Sequence, residues 1–128
     1  MLSTSQIGAF GEYHFAARCI ELGINVAFPA VHDCRYDVIT EYNGLFYRIQ
    51  VKSKQLSAQS KRSSNLWTLS HKAAYSEGEV DFFAFFLIDE KTYMIVPSNE
   101  IEGKQKLRTT PGGKYDQYHE AFHLLKGG

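Results

Sequence analysis

Apolar and polar positions change period several times along the chain, and each change marks an element. From Gln6 to Leu22 the apolar residues recur at helical spacing, with Phe15, Ala16 and Cys19 falling three, four and seven residues after Glu12. This predicts an α-helix over Gln6 to Leu22, N-capped by Ser5 or Thr4 and stopped at Gly23. In Tyr36 to Glu41 and Leu45 to Lys52 the composition turns β-branched and aromatic, which reads as two strands. Asn43-Gly44 between them is a two-residue hairpin turn signal, because both positions tolerate positive φ. With these as the turn residues, Tyr42 pairs with Leu45, and counting back pairs Asp37 with Gln50.

The rest of the pattern reads as scaffold. Asn25 to Phe28 is a short strand closed by Pro29, and the continuous apolar run Val80 to Ile88 is a strand buried on both faces. Asp89-Glu90-Lys91 turns into a strand over Thr92 to Val96, which Pro97 ends. Trp67 to Ala74 reads as a short helix or irregular connector, and Asp116 to Lys126 as a terminal helix capped by Gly127. This order gives an α/β or α+β domain, a central mixed β-sheet flanked by helices. Phe82, Phe83, Phe85 and Phe86 belong to its core or to a subunit interface rather than to a base-stacking platform. Asp81 either marks the strand end or pairs with Lys72 or His71.

At 128 residues the chain is of ordinary single-domain size, so residues 1–128 are expected to fold as one domain without staples. It has no apolar run long enough to span a bilayer, and its N-terminus lacks the features of a signal peptide, so a cytoplasmic protein with no membrane partner is expected. Its two cysteines, Cys19 and Cys34, have no metal-ligand spacing and read as reduced thiols. His119 and His123 are four apart on the predicted helix, but without a nearby cysteine or acid they read as surface residues. His32 could approach the Asp37 region.

The candidate chemistry lies on the hairpin. Side chains alternate across a strand, so Gln50 and Lys52 share a face, and Lys52 sits one diagonal step from Asp37. Directly opposed residues lie about 5 Å apart and diagonal ones roughly 7–8 Å, the scale of a metal site beside a positive charge. Glu12 supplies a further acid on the inward stripe of the helix, where a lone carboxylate needs a cation or donor. Gly8 and Gly11 beside it would let backbone or ligand come close. The same hairpin residues also suit the solvated face of an ordinary amphipathic hairpin, which needs no function.

Gly8-Ala9-Phe10-Gly11-Glu12, Leu22-Gly23-Ile24-Asn25-Val26, Asp37 and Gln50-Val51-Lys52, in that order and spacing, resemble the PD-(D/E)XK nuclease superfamily. The branch they resemble most is that of the group I intron-encoded homing endonucleases of cyanobacterial type, whose motif carries Gln where most relatives carry Glu. Archaeal-type Holliday junction resolvases share the Gly-x-x-Gly-Glu helix start. The resemblance covers Gly8 to about Lys54 closely, and extends more loosely through Tyr75 and the Val80 to Phe83 strand to Pro97. Two positions depart from the pattern: Tyr36 stands where Pro is expected, and Gln50 replaces the second acid.

The resemblance implies a restriction-endonuclease-like core and metal-dependent phosphodiester hydrolysis. It implies Glu12, Asp37, Gln50 and Lys52 as catalytic residues. Glu12, Asp37, Gln50 and the Val51 carbonyl would hold Mg2+, with Mn2+ as a substitute. Gln50 offers only a neutral carbonyl oxygen, one negative charge fewer than an acid, which Glu12 restores.

Fourteen Lys and Arg balance fourteen Asp and Glu, so the formal net charge is zero, which argues against a simple nucleic-acid binder. The distribution softens the objection. Lys54, Gln55, Gln59, Lys61, Arg62 and Asn65 leave directly from Lys52 in a polar stretch able to contact double-stranded DNA. Lys104, Lys106, Arg108 and Lys114 populate a second loop around Pro111-Gly112-Gly113. A small subunit with one site cuts one strand per binding event, so cutting a duplex calls for a homodimer or homotetramer. Three functions remain: a site-specific homing-type DNA endonuclease, favoured by the low charge; a junction resolvase; and a non-cleaving DNA-binding protein with a decayed site.

Overall fold

The computed structural model describes residues 2–31, 33–55, 66–69 and 79–128. Its frame is a five-stranded mixed sheet of order β1-β2-β3-β5-β6, built from β1 (Asn25–Ala27), β2 (Val38–Tyr42), β3 (Leu45–Lys54), β5 (Phe82–Leu87) and β6 (Thr92–Pro97). All neighbours are antiparallel except β3 and β5, which run parallel. β4 (Leu66–Thr68) and β7 (Lys106–Arg108) form a separate antiparallel ribbon, and α1 spans Thr4–Glu21.

α1 begins two residues earlier than the apolar spacing indicates. Ser3 is the N-cap: its Oγ accepts from Gln6 N–H at 3.1 Å while Gln6 Oε1 accepts from Ser3 N–H at 2.9 Å. This reciprocal Ser-x-x-Gln box satisfies two end groups and outcompetes Thr4 and Ser5. Gly23, at φ +82°, stops the helix as expected. The hairpin turn is also as read, with Asn43 at φ 50° and Gly44 at φ 82°.

The sheet separates two cores. Phe15 and Cys19 of α1 pack with Val38, Ile49, Val51 and Phe86 on one face. On the other, Trp67 and Leu107 of the ribbon cover Phe83, Phe85 and Val96. β5 lies between β3 and β6 under both layers, so its aromatic residues are core.

Three expectations are corrected. Trp67 opens no helix, because Leu66–Thr68 pairs with Lys106–Arg108 as a strand. For the same reason Lys106 and Arg108 belong to a strand rather than a loop. The terminal helix is broken into short 3-10 turns at Asp116–Tyr118 and Phe122–Lys126. Between them Glu120 takes φ 53°, donates its N–H to Tyr93 O at 2.7 Å and accepts from Tyr93 N–H at 2.7 Å. Arg18 of α1 grips the same carboxylate. Pairing with the open edge of β6 thus draws the backbone out of helical conformation. His119, bridged to Met94, does not share a helix with His123.

Candidate active site

The hairpin register runs from Tyr42 opposite Leu45 to Val38 opposite Ile49, one residue short of Asp37. Asp37 Oδ2 accepts from Gln50 Nε2 at 2.9 Å and from Val51 N–H at 2.8 Å. Strand geometry explains the second bond. Even-numbered residues of β3 turn their backbone groups to β5, as Arg48 O and Lys54 O do in accepting from Asp81 and Ile88. Odd-numbered ones face β2, as Ile49 O does in accepting from Asp37 N–H. β2 begins only at Val38, so the Asp37 carboxylate takes the Val51 N–H where the ladder ends. The Val51 carbonyl leaves β3 by this same edge.

Lys52 lies two residues beyond Gln50, half-buried, with Phe85 as its register partner on β5. Burial pushes its ammonium below the ordinary value of 10.5, Asp37 pulls it back up, and Arg35 pushes it further down.

Glu12, on α1, and Asp37 line one hollow of about 200 Å³, together with Phe28, Pro29, Cys34 and Tyr36. Gly11 sets the approach: a Cβ there would lie 1.7 Å from Ser53 Oγ and 2.9 Å from Ser53 Cβ, so only glycine lets α1 cross β3 this closely. Gly8 faces open space and has no such role. Asp37 is therefore the pivot, hydrogen-bonded to Gln50 and Val51 and sharing a hollow with Glu12.

The oxygens at hand are two carboxylates, one amide and one backbone carbonyl, a hard donor set suited to magnesium or manganese. Among the described residues no group of three or more His, Cys, Asp or Glu side chains is placed to hold a metal.

Of the residues read as DNA contacts, Lys54 sends its ammonium to Leu66 O at 2.7 Å and over the Trp67 ring, tying β3 to the ribbon. Gln55 Oε1 accepts from Leu2 N–H at 3.3 Å. Gln59, Lys61, Arg62 and Asn65 lie outside the described residues, as do His32, His71 and Lys72. Asp81 pairs instead with Arg48, its two oxygens meeting Nε and Nη2 at 3.1 Å each, with Arg48 N–H adding a bond at 2.7 Å. Sequence reasoning missed Arg35 beside Lys52, and Phe28 and Tyr36 in the hollow. Only the position of Tyr36 immediately before Asp37 signalled any of them.

A family model described as PD-(D/E)XK endonuclease matches residues 2–124. No curated protein matches the chain. Among solved structures the fold is similar to that of the bacterial homing endonuclease I-Ssp6803I, with a TM-score of 0.83 and 16% identity over 98% of this chain and 95% of that one. It is also similar to Hjc, a Holliday junction resolvase of Archaeoglobus fulgidus, with a TM-score of 0.61 and 14% identity over 92% of this chain and 94% of that one. With the family model spanning nearly its whole length, the chain belongs to the PD-(D/E)XK endonuclease family.

Proposed function

We propose that the chain, acting as a single nuclease domain, is a metal-dependent, site-specific DNA endonuclease of homing type, with Glu12, Asp37, Gln50 and Lys52 as its catalytic residues. The observation that carries this reading is the Asp37 carboxylate, bonded to Gln50 and Val51 N–H and sharing a hollow with Glu12.

A bound Mg2+, or Mn2+ in its place, would be held by Glu12, Asp37, Gln50 and the Val51 carbonyl, and would stabilise charge on the phosphate oxygens as a Lewis acid. The chain's own groups do the rest. Val51 N–H and the Gln50 amide fix the orientation of the Asp37 carboxylate, so it is preorganised before substrate arrives. Lys52, partly withdrawn from water beside Asp37, orients the attacking water or offsets the charge that builds on the phosphate in the transition state. Its depressed pKa brings it closer to acid–base work near neutrality than an exposed lysine would be.

Two strand cuts in a duplex require two sites, which supports a homodimer or homotetramer. Resolvase action is the second reading, favoured by the fold shared with Hjc. The test is cleavage of linear duplex, four-way junction and single strand with magnesium or EDTA, comparing native protein with Asp37→Ala and Lys52→Ala. Magnesium-dependent cutting of rare sites in long linear DNA, lost in both variants, is expected. Cutting of junctions irrespective of sequence would replace the homing reading by the resolvase one. No cutting of any substrate would overturn both.

A further inference from the structure

The basic stretch around Lys106 takes no part in the carboxylate site, and the strand it forms sorts its side chains. From Gly103 to Tyr115 the chain carries Lys104, Lys106, Arg108 and Lys114 and no acidic residue, although its formal net charge is zero. In the β4–β7 ribbon Trp67 is paired with Leu107, and both are buried against the sheet. Alternation turns their neighbours outward: Lys106 opposite Thr68, and Arg108 opposite Leu66. Lys106, Arg108 and Thr68 are exposed, and among the described residues neither cation is held in an ion pair. Lys104 and Lys114 converge on Tyr115, their ammonium groups 5.5 and 5.4 Å from the centre of its ring. The ribbon is anchored next to the site, because Lys54, two residues beyond Lys52 on β3, donates to Leu66 O at 2.7 Å.

We propose that the β4–β7 ribbon lies in the major groove of duplex DNA beside the scissile phosphate and reads its bases, with Arg108 and Lys106 as specificity-determining residues. This deepens the homing-endonuclease reading and rests on it. A merely solvated face in a chain of balanced charge would mix both signs; here the balancing acids lie elsewhere, which leaves one face complementary to DNA. The dimensions match as well. Two strands about 4.8 Å apart, with their side chains, suit a groove about 12 Å wide, which admits a two-stranded ribbon. β7 has three residues, about 10 Å of strand, so one ribbon meets roughly three base pairs at about 3.4 Å each. Lys52 and Lys54 are about 7 Å apart along β3, which keeps the bases read within a few base pairs of the cut. The planar fork of Arg108 suits guanine O6 and N7, Lys106 adds a donor in the same groove, and Lys104 and Lys114 serve phosphates.

The test selects binders from a pool of randomised linear duplexes in EDTA, where cutting plays no part, with native protein and with Arg108→Gln. The selected duplexes are then treated with dimethyl sulfate, which methylates guanine N7 in the major groove and adenine N3 in the minor. Native protein is expected to select guanine at a fixed position in a window of about three base pairs and to be blocked by N7 methylation there. Arg108→Gln, whose amide pairs with adenine N6 and N7, should bind the native site roughly 5- to 150-fold more weakly and recover when that guanine is replaced by adenine. Lys106→Ala should relax the preference at a neighbouring position, whereas Lys126→Ala, which removes a cation outside the ribbon, should alter no preference. Emission of Trp67, the only tryptophan, checks that the ribbon stays docked in each variant. Equal weakening of every sequence by Arg108→Gln would reduce Arg108 to a backbone contact and overturn the proposal. Interference only at adenine N3, or a native protein without base preference, would overturn it too. Cleavage of the selected duplex with magnesium by native protein and Asp37→Ala tests the nuclease reading separately. A base swap without cutting would strike that reading and leave the groove contact, whereas cutting with an unchanged preference in Arg108→Gln would strike the ribbon alone.

Discussion

Replacing Gly11 by alanine pits two opposite effects of known size against each other. In an exposed helix the change stabilises by up to about 1 kcal/mol, because alanine loses less backbone freedom than glycine. Here the new Cβ meets Ser53 Oγ at 1.7 Å and Ser53 Cβ at 2.9 Å, with Phe86 Cδ2 at 3.6 Å. Rotating the hydroxyl away relieves the first contact. The second is fixed by the backbone of β3, so α1 has to lift. Overpacking of this kind costs about 1–3 kcal/mol, giving a net destabilisation of roughly 0–2 kcal/mol for Gly11→Ala. In a Ser53→Gly background both contacts vanish, and the same substitution should stabilise by about 0.5–1 kcal/mol. A Ser53→Ala background should lie between. Urea unfolding of the four proteins of the Gly11–Ser53 cycle, followed by circular dichroism, measures the coupling. The lifted helix should also carry Glu12 away from Asp37, so cleavage in Gly11→Ala should fall and recover with Ser53→Gly. Stabilisation by Gly11→Ala in the native background, or an equal effect in both, would refute the claim that this contact sets the helix position.

Other expectations are more local. Lys52 is protonated at a cost in the folded state, since burial lowers its pKa below the unfolded 10.5. Between the two pKa values the unfolded chain binds more protons, so stability rises with pH there. Lys52→Met should therefore stabilise most near neutrality, with the gain shrinking towards pH 10.5 in pH-stepped denaturation; a gain independent of pH would contradict this. For Asp81, burial raises the pKa, but the side-chain and backbone bonds from Arg48 outweigh it and leave the carboxyl below its ordinary 3.8. Its contribution is present above that value and is lost as pH falls through the folded pKa, so Asp81→Asn should cost roughly 1 kcal/mol at neutral pH and flatten the acid limb. Ser3→Ala removes one half of the capping box and should cost about 1 kcal/mol, read from the denaturation midpoint. Among the described residues Thr40 Oγ1 is buried without a hydrogen-bond partner, so Thr40→Val should be neutral or stabilising in the same assay.

The sequence by itself determined whatever depends on near neighbours. Asn43 and Gly44 set the hairpin turn, and because side chains alternate with a strict period of two, the turn fixed the register as far as Val38 and Ile49, next to Asp37 and Gln50. Gly23 stopped the helix, and the apolar run after Val80 gave an interior strand of the sheet. The Ser3 cap was also legible, as a Ser-x-x-Gln pattern, although propensity alone placed it later.

Tertiary structure decided what depends on distant contacts. The placing of Glu12 on the same hollow as Asp37 follows from Gly11 lying against Ser53, residues far apart in the chain whose fit no local pattern encodes. The terminal segment has the apolar residues of a helix, yet the open edge of β6 and Arg18 hold Glu120 in a conformation no helix contains. Arg48 found Asp81 because parallel pairing sets Ile49 opposite Phe82, which brings Asp81, just before β5, alongside Arg48 within β3. Local chemistry sets turns, caps and register because the competing conformations differ within a few residues. Which surfaces then approach is settled by burial and by the sheet edges left to be paired, and these exist only once the whole sheet has formed.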